Sequence, residues 1–277
     1  MSPKFFVTNK ARDISVSLDS LDEEKQDYIN GVPGSWKRTI ETIAAISQIF
    51  PKKDSLCGIG CVLSSYNYKE IPELLEFATR IGWYLSLVPV HISGNKNQQH
   101  FFRGNDTSFM FNDTQLEELK GVLEKILLMK KNGYNLFDSD IYIRSIYPFL
   151  KQGTPTWRMK KDNMCDSPYL YFVVKPDGDF ALCCDKDFPS KLSVIDPDFP
   201  EIYKSKEFQE KADRITQECS GCQYGSYPEV TLSVRDMKIV WERAFLSYRL
   251  AKKSLIPHSA EQLFKMIGGI KNHSCNA

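Results

Sequence analysis

The chain has 277 residues, of which 42% are hydrophobic, with 36 Lys and Arg against 35 Asp and Glu. That length holds one large or two modest domains, and a net charge of +1 gives no global electrostatic argument for nucleic acid. No long apolar run occurs and MSPKFFVTNK has no signal-peptide pattern, so a cytoplasmic protein without a membrane partner is expected; its eight cysteines read as metal ligands and free thiols, not a disulfide framework.

In chain order, residues 4–9 and 13–18 are short strand-like stretches, and 19–24 begins a helix with acidic and capping groups. The Gly31-Val32-Pro33-Gly34 turn leads to Ser35, the expected N-cap of a helix over 36–50 with Ile40, Ile43, Ala44, Ile46 and Ile49 as its apolar stripe. A β-rich segment follows at 57–64, then a helix at 71–81 and an apolar strand at 83–92. Strand, helix, strand, helix, strand is the order of βαβ units on a parallel sheet. Residues 101–113 read as a polar loop. Thr114 is the expected cap of a helix running to Lys131, with Leu116, Leu119, Leu123, Ile126 and Leu127 facing a core and Gly133 ending it. A second helix is expected over 139–150, and Gly153-Thr154-Pro155 is a breaker that marks a domain boundary.

Beyond that breaker the cysteines gather. Cys165 and Cys183 flank a hairpin signal, in which Tyr169, Tyr171 and Val173 alternate, Lys175-Pro176-Asp177-Gly178 turns, and Phe180 and Leu182 follow. The knuckle Cys219-Ser220-Gly221-Cys222 supplies the second pair, with Gly221 free to take backbone conformations closed to other residues. Four thiolates suit a tetrahedral zinc or a [4Fe–4S] cluster. If Asp177-Gly178 is a two-residue turn, Cys183 lies opposite Phe172, roughly 23 Å of extended chain beyond Cys165. Asp166-Ser167-Pro168 must therefore turn the chain back. Neighbouring strand residues face opposite ways, so only one of Cys183 and Cys184 can face a shared site.

The stretch 185–198 reads as an irregular loop and 199–214 as a helix. Residues 230–253 read as one long amphipathic helix carrying Val234, Met237, Val240, Trp241, Phe245 and Tyr248, expected to pack against the first domain. The histidines His91, His100, His258 and His273 make no metal spacing, although His91 ends the 83–92 strand.

The order Cys165, twelve residues, Gly178, four residues, Cys183 resembles the C-x(9–15)-G-x4-C signature of SPASM and twitch domains. Those are auxiliary-cluster extensions of radical S-adenosylmethionine (SAM) enzymes. A full SPASM pattern adds two closely spaced cysteines, whereas Gln223-Tyr224-Gly225-Ser226-Tyr227 follows here, as in the shorter twitch form. ISVSLDS at 14–20, with DYINGVPGSWKRTIETI after it, resembles the fourth strand and helix of the radical SAM core. GIGCVLSSYNYKEIPELLEFATRIG is similar to its fifth strand and helix, and WYLSLVPVHI to its sixth strand.

The resemblance implies an α/β fold in which an incomplete parallel β/α barrel of radical SAM type spans 1–100 and a helical connector 101–153. A small α+β twitch-like iron–sulfur domain then spans 154–229 and a C-terminal helix and tail 230–277. It also implies an auxiliary [4Fe–4S] cluster on Cys165, Cys183, Cys219 and Cys222, with SAM contacts at Ser17 and Asn67. The implied partners are a small-molecule or peptide substrate and a reductant such as ferredoxin or flavodoxin.

The sequence also departs from that family. A radical SAM core carries a C-x3-C-x2-C loop after its first strand, and the first cysteine here is Cys57. Cys57-Gly58-Ile59-Gly60-Cys61-Val62-Leu63-Ser64 imitates the spacing but follows the SLD strand, where it should itself be a strand. Its two thiols would then stand roughly 13 Å apart. The expectation is the C-terminal part of a SAM-dependent radical oxidoreductase or modifying enzyme. For this chain alone that means an inactive iron–sulfur module or a partner subunit, with a zinc-stabilised structural protein as the remaining class.

Overall fold

The computed structural model describes residues 11–51, 53–90, 108–153, 155–158, 165–253 and 255–274. The expected strand over 4–9, His91, His100 and most of the 101–113 loop lie outside them. The fold is mixed α/β, with a parallel three-stranded sheet and many helices. It divides into two compact units, the first from the described residues of 11–90, 108–143 and 241–274, the second from those of 144–240.

The first unit is laid down by its alternating strands and helices. Strands β1 (Asp13–Ser17), β2 (Leu56–Leu63) and β3 (Tyr84–Pro89) pair in parallel in the order β1-β2-β3. Helices α1 (Glu23–Asn30) and α2 (Ser35–Ile49) fill the first crossover and α3 (Ile71–Arg80) the second. Parallel neighbours require such crossovers. A further parallel bridge joins Leu85 to Leu136, so the chain returns once more alongside β3, on the edge away from β2.

The register gives the sheet two unlike faces. Cys57, Ile59, Cys61 and Leu63 share one face with Leu85 and Leu87, and all six are buried. The other face carries Ser15, Ser17, Gly60, Val62 and Ser86, with Ser15, Ser17 and Val62 exposed. Gly58 lies on this second face under the Tyr84 ring, where an added Cβ would come within 2.2 Å of the ring. Helix α4 (Asp113–Lys131) buries Leu116, Leu119, Leu123, Ile126 and Leu127, the face its periodicity predicts. Helix α11 (Ala260–Ser274) packs on α2 and α3 through Leu263, Ile267 and Ile270.

Two helix starts differ from the sequence expectation. Ser35 does not cap α2; the Asp27 carboxylate, reaching over from α1, accepts from the amides of Gly34 and Trp36 and from the Ser35 hydroxyl. Likewise α4 is capped by Asn112 and not Thr114, in a reciprocal box with Gln115. In both cases a stronger acceptor nearby takes the role.

Helix α5 (Asp140–Gln152), the helix expected over 139–150, starts in the first unit and runs into the second. The second unit's small sheet has β4 (Val173–Val174), β5 (Phe180–Cys183) and β6 (Lys186–Asp187), all antiparallel. Helix α6 (Ser167–Leu170) is the turn required after Cys165. The helix expected over 199–214 is two, α7 (Phe199–Lys204) and α8 (Lys206–Glu218), because Ser205 leaves the helical region and caps α8 through the Phe208 amide. Phe180, Leu182, Leu192, Phe208 and Ala212 form the unit's core, ringed by Phe172, Phe188, Phe199 and Tyr203.

The long helix expected over 230–253 is also two, α9 (Ser226–Arg235) and α10 (Met237–Lys252), broken at extended Asp236. Its expected packing face is corrected as well. Val234, Met237, Trp241, Phe245 and Tyr248 are exposed, Trp241 at 69%, while Ile239, Leu246 and Leu250 are buried instead. The sequence offers two apolar faces here, and the tertiary environment selects the aliphatic one. Among the described residues no helix is long and apolar enough to cross a membrane.

Candidate metal centre

Three separate stretches of the second unit bring cysteines to one pocket. Cys165 precedes α6, Cys183 ends β5, and Cys219 and Cys222 follow α8. All four line one small pocket, together with Arg158 and Lys186.

The hairpin that delivers Cys183 has a three-residue loop, one longer than expected. The Lys175 amide donates to the Asp179 carbonyl, the Gly178 amide donates to the Lys175 carbonyl, and Gly178 sits at φ 86°. That left-handed position is what a three-residue hairpin loop asks of glycine. The pairs Val173–Ala181 and Val174–Phe180 therefore shift the register by one residue from the two-residue reading.

Each sulfur has polar neighbours. Cys165 Sγ stands 3.3 Å from Ser167 Oγ and accepts from the Thr231 hydroxyl at 3.9 Å. The Gly221 amide donates to Cys219 Sγ at 3.4 Å. Burial pushes the Cys183 thiol up to about 12, against a smaller downward pull from the Asp185 and Lys186 amides. Burial also pushes Cys222 well up, opposed by the Tyr224 amide, and Cys165, Cys183 and Cys219 each add to the rise.

Cys184 faces elsewhere. Its amide donates to the Tyr227 hydroxyl at 2.9 Å, its sulfur lies 3.7 Å from Asp185 Oδ1, and it does not line the pocket. Among the described residues, no three His, Cys, Asp or Glu side chains form a group close enough for a metal ion. Lining one space and converging at bonding distance are different requirements, and the four cysteines meet the first.

The knuckle is held from outside by residues that sequence reasoning missed. The Trp157 indole N–H donates to the Cys222 carbonyl at 2.7 Å. Arg158 donates to the carbonyls of Cys219 at 2.5 Å and Thr216 at 2.7 Å. Both lie within three residues after the Gly153-Thr154-Pro155 breaker, which reads only as a boundary. A long-range contact to the knuckle leaves no local signal.

The other two site candidates lie in the first unit. Ser17 ends β1, exposed and paired in register with Gly60. Asn67 is fully buried. Its amide nitrogen donates to the carbonyls of Asp19 and Val62, both at 2.8 Å, and its oxygen accepts from the Ser64 amide at 2.8 Å. Asn67 thus fastens the end of β1 to the end of β2 with its polar capacity engaged on backbone. Beside it the buried Asp19 carboxylate accepts from the Val62 amide, and burial raises its pKa above the usual range.

Cys57 and Cys61 are buried on the core face of β2, and burial drives the Cys57 thiol up to about 12 and Cys61 well above its ordinary value. They form no loop.

No protein-family model matches the chain, and a search of curated proteins gives no match.

Proposed function

We propose that the second unit is a metal module that holds one [4Fe–4S] cluster on Cys165, Cys183, Cys219 and Cys222, within a protein built like the C-terminal part of a radical SAM enzyme. The observation that carries this reading is the single pocket lined by all four cysteines. The donor chemistry suits the group, four soft thiols with amide or hydroxyl groups beside the sulfurs, and binding would have to draw the sulfurs together to bonding distance. Metal binding would displace the thiol protons that burial holds in place at Cys183 and Cys222.

Such a cluster supplies one-electron redox chemistry when bound. With four protein ligands it has no open position, so this site suits electron transfer or substrate support and not SAM cleavage. The sequential parallel order of β1, β2 and β3 in the first unit supports the reading of an open β/α barrel segment. On this reading the face carrying the exposed Ser15 and Ser17 would line the barrel's interior. There Ser17 is the position for a SAM contact, and Asn67 shapes the strand ends beside it. Substrate, a small molecule or peptide, and a ferredoxin- or flavodoxin-type reductant are the partners this reading requires.

Anaerobic purification tests it. A brown protein whose absorbance bleaches with dithionite supports the cluster. A colourless protein that holds zinc on the same thiolates overturns it in favour of a structural zinc site.

A further inference from the structure

We infer that Pro155, Trp157 and Arg158 form a clamp that sets the geometry of the Cys219–Cys222 knuckle and tunes the metal it holds. The inference rests on the metal-centre reading above and assigns positioning residues to it. Three contacts from this one short segment converge on the knuckle. Trp157, 2% exposed, holds the Cys222 carbonyl. The Arg158 fork spans the carbonyls of Thr216 and Cys219, tying the last turn of α8 to the first knuckle cysteine. Pro155 lies against Gly221, where an added Cβ would come within 2.4 Å of Pro155 Cγ. The Arg158 guanidinium also lies 5.9 Å from the centre of the Trp157 ring, so the two donors brace each other.

The physical consequence follows from peptide planarity. A carbonyl held in place fixes its whole peptide plane, and with it the direction of the neighbouring amide. Holding the carbonyls of Cys219 and Cys222 therefore fixes where both side chains leave the backbone. A peptide between those two carries the Gly221 amide, which donates to Cys219 Sγ, and Pro155 packed against Gly221 confines it. Hydrogen bonds to cluster sulfurs favour the more negative, reduced state and so raise its potential. Loosening the clamp should lower the potential and speed metal loss.

The test uses the full chain, loaded anaerobically with iron and sulfide, as wild type, Trp157→Phe, Arg158→Lys and Arg158→Met. Trp157→Phe keeps the ring and removes only the donor. Arg158→Lys keeps the charge and loses the fork. Release of iron to an external chelator should be about fivefold faster for each lost hydrogen bond. The reduction potential should fall in the order wild type, Arg158→Lys, Arg158→Met, and should also fall in Trp157→Phe, while far-ultraviolet circular dichroism stays the same. A loaded wild type whose release rate and potential match those of Trp157→Phe and Arg158→Lys overturns the clamp and leaves the metal centre standing. A wild type that takes up no iron overturns the metal centre, and the clamp with it.

Discussion

Asp166 receives both arms of the Arg235 guanidinium, at 2.6 and 3.0 Å, one residue beyond Cys165. The pair is about four-fifths shielded on both sides, with side-chain exposures of 22% and 18%. The Asp166 amide is fixed in turn by the Thr231 hydroxyl, the same hydroxyl that reaches the Cys165 sulfur. Helix α9 thus anchors the first cysteine of the pocket through two residues one turn apart.

Arg235→Ala leaves a partly buried carboxylate without its guanidinium and should destabilise the second unit by about 1–3 kcal/mol. Arg235→Lys should recover only part of that, because a point charge cannot reproduce the two-pronged contact. Urea unfolding of the three proteins measures both differences, and equal midpoints would show that the pair contributes nothing.

Gly221 occupies φ 87°, a left-handed conformation, with Pro155 close behind it. Gly221→Ala should cost about 1–3 kcal/mol through backbone strain alone, before any contact with Pro155 is relieved. A thermal midpoint unchanged from wild type would mean that the knuckle is free to refold around a side chain.

Asn67 distinguishes a latch from a ligand contact. With three backbone groups depending on it, Asn67→Ala should lower the stability of the first unit by about 1–3 kcal/mol with no ligand present. If stability is untouched, the side chain is not needed to join the ends of β1 and β2.

The C-terminal helix α11 is tied to the start of α1 by Lys271 and Asp22, 2.7 Å apart. The Lys271 hydrogen bond is the main cause holding the Asp22 carboxyl below its ordinary value, with Lys25 adding to it. A depressed carboxylate stabilises the fold above its unfolded value of 3.8, and that contribution disappears as pH falls through the lower folded value. Lys271→Met should therefore be less stable than wild type at pH 7, by no more than about 1 kcal/mol for a solvent-screened pair. The two stabilities should converge in strong acid. A difference that persists there would assign the effect to packing of the lysine stem.

The parts of the fold that were legible share a cause: their signals are local. Alternation at 13–17 and the 3.6-residue repeat of α4 are written within a few residues of one another. Ser205 and Asp236 broke two expected helices because neither residue stops a periodic apolar pattern by itself. The α10 face was misread for a related reason. Period identifies Trp241 and Phe245 as one side of a helix but cannot tell which side meets a neighbour. In the candidate site, the spacing of Cys165, Cys183, Cys219 and Cys222 was readable, and so was the need for a turn at Asp166-Ser167-Pro168. The hairpin loop length, the turning away of Cys184 and the hold of Trp157 and Arg158 on the knuckle were not. They depend on one-residue register and on contacts some 60 positions apart.

The central claim is one cluster per chain on four named thiols, and the most direct test is the iron, sulfide and zinc content of the anaerobically reconstituted chain and its cysteine variants. Wild type should contain about four irons and four sulfides. Cys165→Ala, Cys183→Ala, Cys219→Ala and Cys222→Ala should each lose them, while Cys57→Ala, Cys61→Ala and Cys184→Ala keep them. One zinc per chain without sulfide, no bound metal, or iron retained in Cys183→Ala but lost in Cys184→Ala would contradict the account.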